Sequence, residues 1–154
     1  MPGREATAGL GAAQGGLAAR VAELGRQLAE RERAHAAGLE RAREAARALH
    51  AKLAAALAAF HEEARRGGAP QLAVELSEPR PDDKHVRAVQ LELRRGRQAA
   101  IVTVKSRGEV TLVGPFRRGK DEGPCKTFPL EAEGEIEAAL GDFLARFLEE
   151  AATP

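Results

Sequence analysis

The sequence predicts an α+β fold: a long N-terminal coiled-coil-like helix, an antiparallel β-meander of four to five strands, and a C-terminal amphipathic helix packed on the sheet. Three observations carry this. Residues 17–65 contain no Pro, and Gly only at positions 25 and 38. From Leu72 onward the apolar residues switch to a period of two, and from Ile136 they return to helical spacing. The chain thereby divides into a disordered stretch over 1–16, a long helix over 17–66 and a small head over 67–154.

The first element, "MPGREATAGLGAAQGG", is rich in Gly and Ala and lacks the apolar core of a secretory signal. No run approaches the roughly eighteen apolar residues that a membrane span needs. The expectation is a soluble cytoplasmic chain that does not meet the membrane. Abundant Ala and Gly, with nineteen Arg against five Lys, point to a GC-rich bacterial genome.

Residues 17–65 are dominated by Ala, Leu, Glu and Arg, which are strong helix formers. At full length such a helix runs roughly 70 Å, more than a small domain can cover. Leu17, Val21, Leu24 and Leu28 are spaced 4, 3, 4; Leu39, Ala42, Ala46, Leu49, Leu53, Ala56 and Phe60 are spaced 3, 4, 3, 4, 3, 4. The eleven-residue step from 28 to 39 reads as a stutter between two heptad runs. A coiled coil is therefore expected, with Leu17, Val21, Leu24, Leu28, Leu39, Leu49, Leu53 and Phe60 in the interface of a homo-oligomer. The competing arrangement is a helix that lies on its own domain, or that folds back near Gly38 within "HAAGLE". His35, His50 and His61 ride on this helix without a His or carboxylate four residues on, so no metal is expected there.

"ARRGGAP" at 64–70 supplies a helix stop: basic residues, two Gly, then Pro70. Leu72, Val74 and Leu76 then alternate with Ala73, Glu75 and Ser77. After the polar loop "SEPRPDDKH", Val89, Leu91 and Leu93 alternate again, followed by Val102 and Val104, then Val110 and Leu112, then a short "CKTF". Short connections between these runs predict antiparallel neighbours with one buried face. Ile136, Leu140, Phe143, Leu144, Phe147 and Leu148 make the apolar stripe of the closing helix, which is expected to cover that face. Glu131, Glu133 and Glu135 suit the positive end of its dipole.

"GPFRRGKD" at 114–121 matches seven positions of the phosphate-cradling pattern G-x-x-x-x-G-K-[ST]. The chemistry argues against it. Pro115 removes an N–H, Asp121 and Glu122 place negative charge where phosphates would sit, and Gly123 with Pro124 opposes a helix start. A strand end followed by an exposed turn is expected instead. Asp82, Asp83 and His85 sit on a Pro-flanked loop without a partner cluster, and the single Cys125 has no activating neighbours in sequence. No nucleophile with its base can be assembled, so neither catalysis nor a cofactor is expected.

Charge gives one further lead. The chain carries 24 basic and 23 acidic residues, but residues 131–154 hold one basic against seven acidic. In a meander, alternate turns lie at the same end of the sheet. That places "RRGR" at 94–97 beside "RRGKD" at 117–121, and the chain enters the first strand from the same end. Arg65, Arg66, Arg94, Arg95, Arg97, Arg117, Arg118 and Lys120 are thereby expected to converge, with Glu149 and Glu150 delivered beside them. Such an end is either a self-neutralising rim or a docking surface. Trp and Tyr are absent and Phe numbers only five, which disfavours a base-stacking platform. The reading is a non-enzymatic, self-associating scaffold or adaptor whose head binds a protein partner. A nucleic-acid binder using the basic end is the alternative.

Overall fold

The computed structural model describes residues 2–82, 87–119 and 123–152, excepting the side chains of residues 2–14. The chain divides into two compact units, Met1–Ala36 and Ala37–Pro154. The first helix, α1 (Pro2–Arg66), contributes to both.

The first unit is helical from Pro2, where the Gly/Ala composition predicts disorder. Its several Ala favour helix, and extending an existing helix requires no new nucleus.

In the second unit, α1 is followed by a 3₁₀ turn (Pro70–Leu72) and six strands: β1 (Glu75–Leu76), β2 (Arg80–Pro81), β3 (Ala88–Arg95), β4 (Gln98–Lys105), β5 (Glu109–Arg117) and β6 (Cys125–Pro129). Helix α2 (Glu133–Ala152) closes the chain. The sheet order is β1-β3-β4-β5-β6, with β2 also on β3, and each pairing is antiparallel. The β3–β6 meander follows the alternation in the sequence.

The entry strand is shorter than the alternation predicts. Pro70 starts a 3₁₀ turn that takes in Leu72, and the Val74 N–H donates to His61 Nε2 at 3.0 Å instead of to a strand. Residues 75–82 then run along β3 as an interrupted edge. Between β1 and β2, the Glu92 N–H donates to Ser77 Oγ at 2.8 Å, and the Ser77 N–H donates to Glu92 O at 2.9 Å. Proline is tolerated here because edge strands need only one side of their hydrogen-bonding pattern.

One sheet face carries the core. Val89, Leu91 and Leu93 of β3 align with Val104, Val102 and Ala100 of β4, and Val110 and Leu112 of β5 complete the layer. Ile136, Leu140, Phe143, Leu144, Phe147 and Ala151 of α2 pack against it, as the stripe predicts. They do not do so alone. Ala42, Ala46, Leu49, Leu53 and Leu57 of α1 are buried in the same cluster, and Leu39 is half-buried against it.

This corrects the expected coiled-coil seam over 39–60. Leu49 and Leu53 are spent inside their own chain, Leu39 packs against the same cluster, and Phe60 is half-buried. The Phe60 ring stacks tilted against His61, centroids 5.8 Å apart. The register of burial gives the physical reason. A seam with the 3.5-residue period would continue from Leu53 to Ala56. The buried face moves instead to Leu57, and Ala56 is exposed, as befits a straight helix of period 3.6 lying on a sheet. The compact unit accordingly begins at Ala37 rather than at residue 67.

Gly38 is where the competing fold-back would occur. It does not break the helix. A Cβ placed there would lie 2.3 Å from the carbonyl oxygen of Ser106 in the β4–β5 turn, so the missing side chain lets the helix backbone meet that turn.

Candidate binding surfaces

In the first unit, Leu17, Val21, Leu24 and Leu28 are 64%, 58%, 50% and 44% exposed. These are the large apolar side chains left uncovered among the described residues. Their 4, 3, 4 spacing aligns them along one helix face, with salt-bridged Glu23 and Arg26 beside them at 2.7 Å.

In the second unit, both helices pack on the core face. The opposite face is built by the alternate residues of each strand. Across one line of the sheet stand Glu92, Ile101, Val113 and Cys125; across the next stand Arg94, Ala99 and Phe116. Ile101, Val113 and Phe116 remain half-exposed, and Cys125 is exposed. Where β5 meets β4 irregularly, between Ala99 and Ile101, Gly114 adopts φ 111°. A Cβ at Gly114 would come within 3.1 Å of Ala99 O.

The predicted basic end forms only in part. The β3–β4 turn and the end of β5 do lie together: Gln98 faces Arg117, and the Arg118 N–H donates to Arg97 O at 2.8 Å. Strand alternation then separates neighbours that look alike in sequence. Arg95 turns to the core side and ties the chain together, donating from Nη1 to Ala151 O at the end of α2 and from Nε to Gln71 O at 3.3 Å. It is a helix C-cap, where a cation suits the negative end of the dipole. Arg65 and Arg66 are held by Glu62 and Glu63 of their own helix at 2.5–3.4 Å. Glu150 pairs with Arg146 one turn back at 3.2 Å rather than with the turns. Arg97 and Arg117 are exposed without an ion pair among the described residues. Lys120 lies outside the described residues, as do Asp83, His85, Asp121 and Glu122.

Arg94 and Arg118 turn to the open face, where they meet two residues that the sequence reading did not single out. Glu92, with only 11% of its side chain exposed, stands between three guanidinium groups. Arg118 Nη2 lies 3.2 Å from Glu92 Oε1, Arg94 Nε 3.6 Å from the same oxygen, and Arg80 Nη2 3.8 Å from Oε2. The Nε of Arg94 is buried without a hydrogen-bond acceptor. These groups line a cleft of about 490 Å³, bordered by Glu75 and Ser77. The signal available in sequence was parity. Glu92 and Arg94 share the polar face of β3, whereas Ile101 and Val113 put apolar residues on the face expected to be polar.

The match to a phosphate-cradling loop does not survive folding. Gly114, Pro115, Phe116 and Arg117 lie within β5, and the next element is the antiparallel strand β6 rather than a helix. Among the described residues, no three His, Cys, Asp or Glu side chains gather as a metal site would require, and no helix is long and apolar enough to cross a membrane. No family model matches the chain, and no curated protein or solved structure matches it.

Proposed function

We propose that this protein is a non-enzymatic, self-associating docking protein. Its α1 N-terminal half pairs with a second copy, and its α+β unit binds a protein partner. The observation that carries the reading is the exposed stripe Leu17–Val21–Leu24–Leu28. Four large apolar side chains in heptad spacing cost free energy in water, and a second copy offers the same stripe in complementary register. Val21 takes an a position between Leu17 and Leu24 at d, a combination that favours two parallel strands.

The stripe spans less than two full heptads of large side chains, so its burial competes closely with the cost of association. The expected assembly is a concentration-dependent dimer. Light scattering across the micromolar range should show the mass double, and Val21→Asp with Leu24→Asp should hold it at the monomer. Thermal unfolding of the second unit should be unchanged by those substitutions, because neither residue belongs to its core. A monomer throughout that range would refute self-association.

A further inference from the structure

We propose that the cleft between Arg80, Arg94 and Arg118 is a receptor for a single carboxylate on an extended, partly apolar peptide segment of a partner protein. The inference rests on the docking half of the function proposed above.

Charge count and geometry carry it together. Glu92 offers two oxygens to three guanidinium groups, and only Arg118 stands within hydrogen-bonding distance of them. Arg80 and Arg94 feel the carboxylate at 3.8 and 3.6 Å without bonding to it. Each guanidinium carries five N–H donors in a planar fork suited to a carboxylate. The Arg94 side chain is 42% exposed although its Nε is buried, so a ligand would meet its terminal nitrogens rather than Nε. Glu92 plays the positioning part: it holds three cations together that would otherwise repel one another. The Ser77 bonds to the Glu92 backbone fix that strand segment.

The class of ligand follows from what surrounds the cleft. Among the described residues that line the cleft, three arginines against Glu92 and Glu75 leave a surplus of one positive charge. One carboxylate satisfies it, whereas a nucleic-acid backbone would bring further phosphates against Glu92 and Glu75. Ile101 is the cross-strand neighbour of Glu92 and Val113 the next across, with Phe116 one line away. Adjacent strands lie about 4.8 Å apart, so an apolar surface begins one strand from the carboxylate position. A peptide with an acidic residue beside apolar ones meets both features.

The test pans a random twelve-residue peptide library against the full chain and measures the enriched peptides by fluorescence anisotropy. Enriched sequences should pair Asp or Glu with apolar residues. Arg94→Glu with Arg118→Glu should weaken them at least tenfold, whereas Arg65→Glu with Arg66→Glu should change affinity less than twofold. Replacing the peptide's acidic residue with its amide should cost a similar factor on the unaltered protein, which reads the same contact if the arginine variant fails to fold. The proposal is overturned if no peptide is enriched, if binding ignores both changes, or if a 20-base-pair DNA duplex displaces the peptide at 150 mM salt. Light scattering on the same samples separates the two proposals. A monomer that binds peptide refutes self-association alone; peptide binding that ignores the Arg94 and Arg118 changes refutes this site alone, and no enrichment at all counts against the docking half as well.

Discussion

Gly38 shows how little a residue's identity says until its neighbour is known. In a helix interior Gly is unfavourable by about 1 kcal/mol relative to Ala, and in sequence it reads as a break. Here the absent side chain admits the Ser106 carbonyl, which a Cβ would meet at 2.3 Å. Replacing Gly38 with Ala therefore sets a gain in helix propensity against backbone overpacking of about 1–3 kcal/mol. Because the colliding atom is backbone and cannot rotate away, overpacking should win. The urea midpoint of Gly38→Ala should fall by the equivalent of about 1 kcal/mol; a rise would mean that the helix does not press on that turn. Arg94 and Arg95 teach the same lesson with charge. Adjacent in sequence, they take opposite faces of β3: one faces a cleft, the other caps α2.

At the scale of the element, α1 is one helix with two environments. Leu17, Val21, Leu24 and Leu28 are exposed, whereas Ala42, Ala46, Leu49, Leu53 and Leu57 are buried, although the two runs look alike in sequence. This changes what a substitution is expected to do. Leu53→Asp would place a carboxylate in the core, where an unpaired charge cannot be solvated. It should unfold the second unit, costing at least about 3 kcal/mol, and circular dichroism should register the loss. If Leu53 lay in a seam between chains, the same change would release folded monomers. The sheet shows how much was legible. β3 to β6 and the α2 stripe follow directly from periods of two and 3.6, whereas β2 was not, because two residues between prolines carry no periodic signal. The Glu92 site was not legible either, since it joins β2, β3 and the end of β5 through register rather than sequence proximity.

At the scale of the whole molecule, the boundary of the compact unit is itself testable. A chain beginning at Ala37 keeps both helices over the sheet and should unfold cooperatively. One beginning at Gly67 removes Ala42, Ala46, Leu49, Leu53 and Leu57 from the core, exposing a large share of the sheet's apolar face to water. It should lack a cooperative transition by differential scanning calorimetry. If the shorter chain melted like the longer one, the packing of α1 on its own sheet would be wrong. By itself the sequence determined the long helix, the β3–β6 antiparallel meander and the closing helix, in that order, because backbone periodicity and turn chemistry act over a few residues. Tertiary structure alone decided what covers each apolar stripe and which arginines share a carboxylate. A stripe states that a face must leave water, not whether its own sheet or another chain receives it, and that choice depends on contacts between residues far apart in the chain.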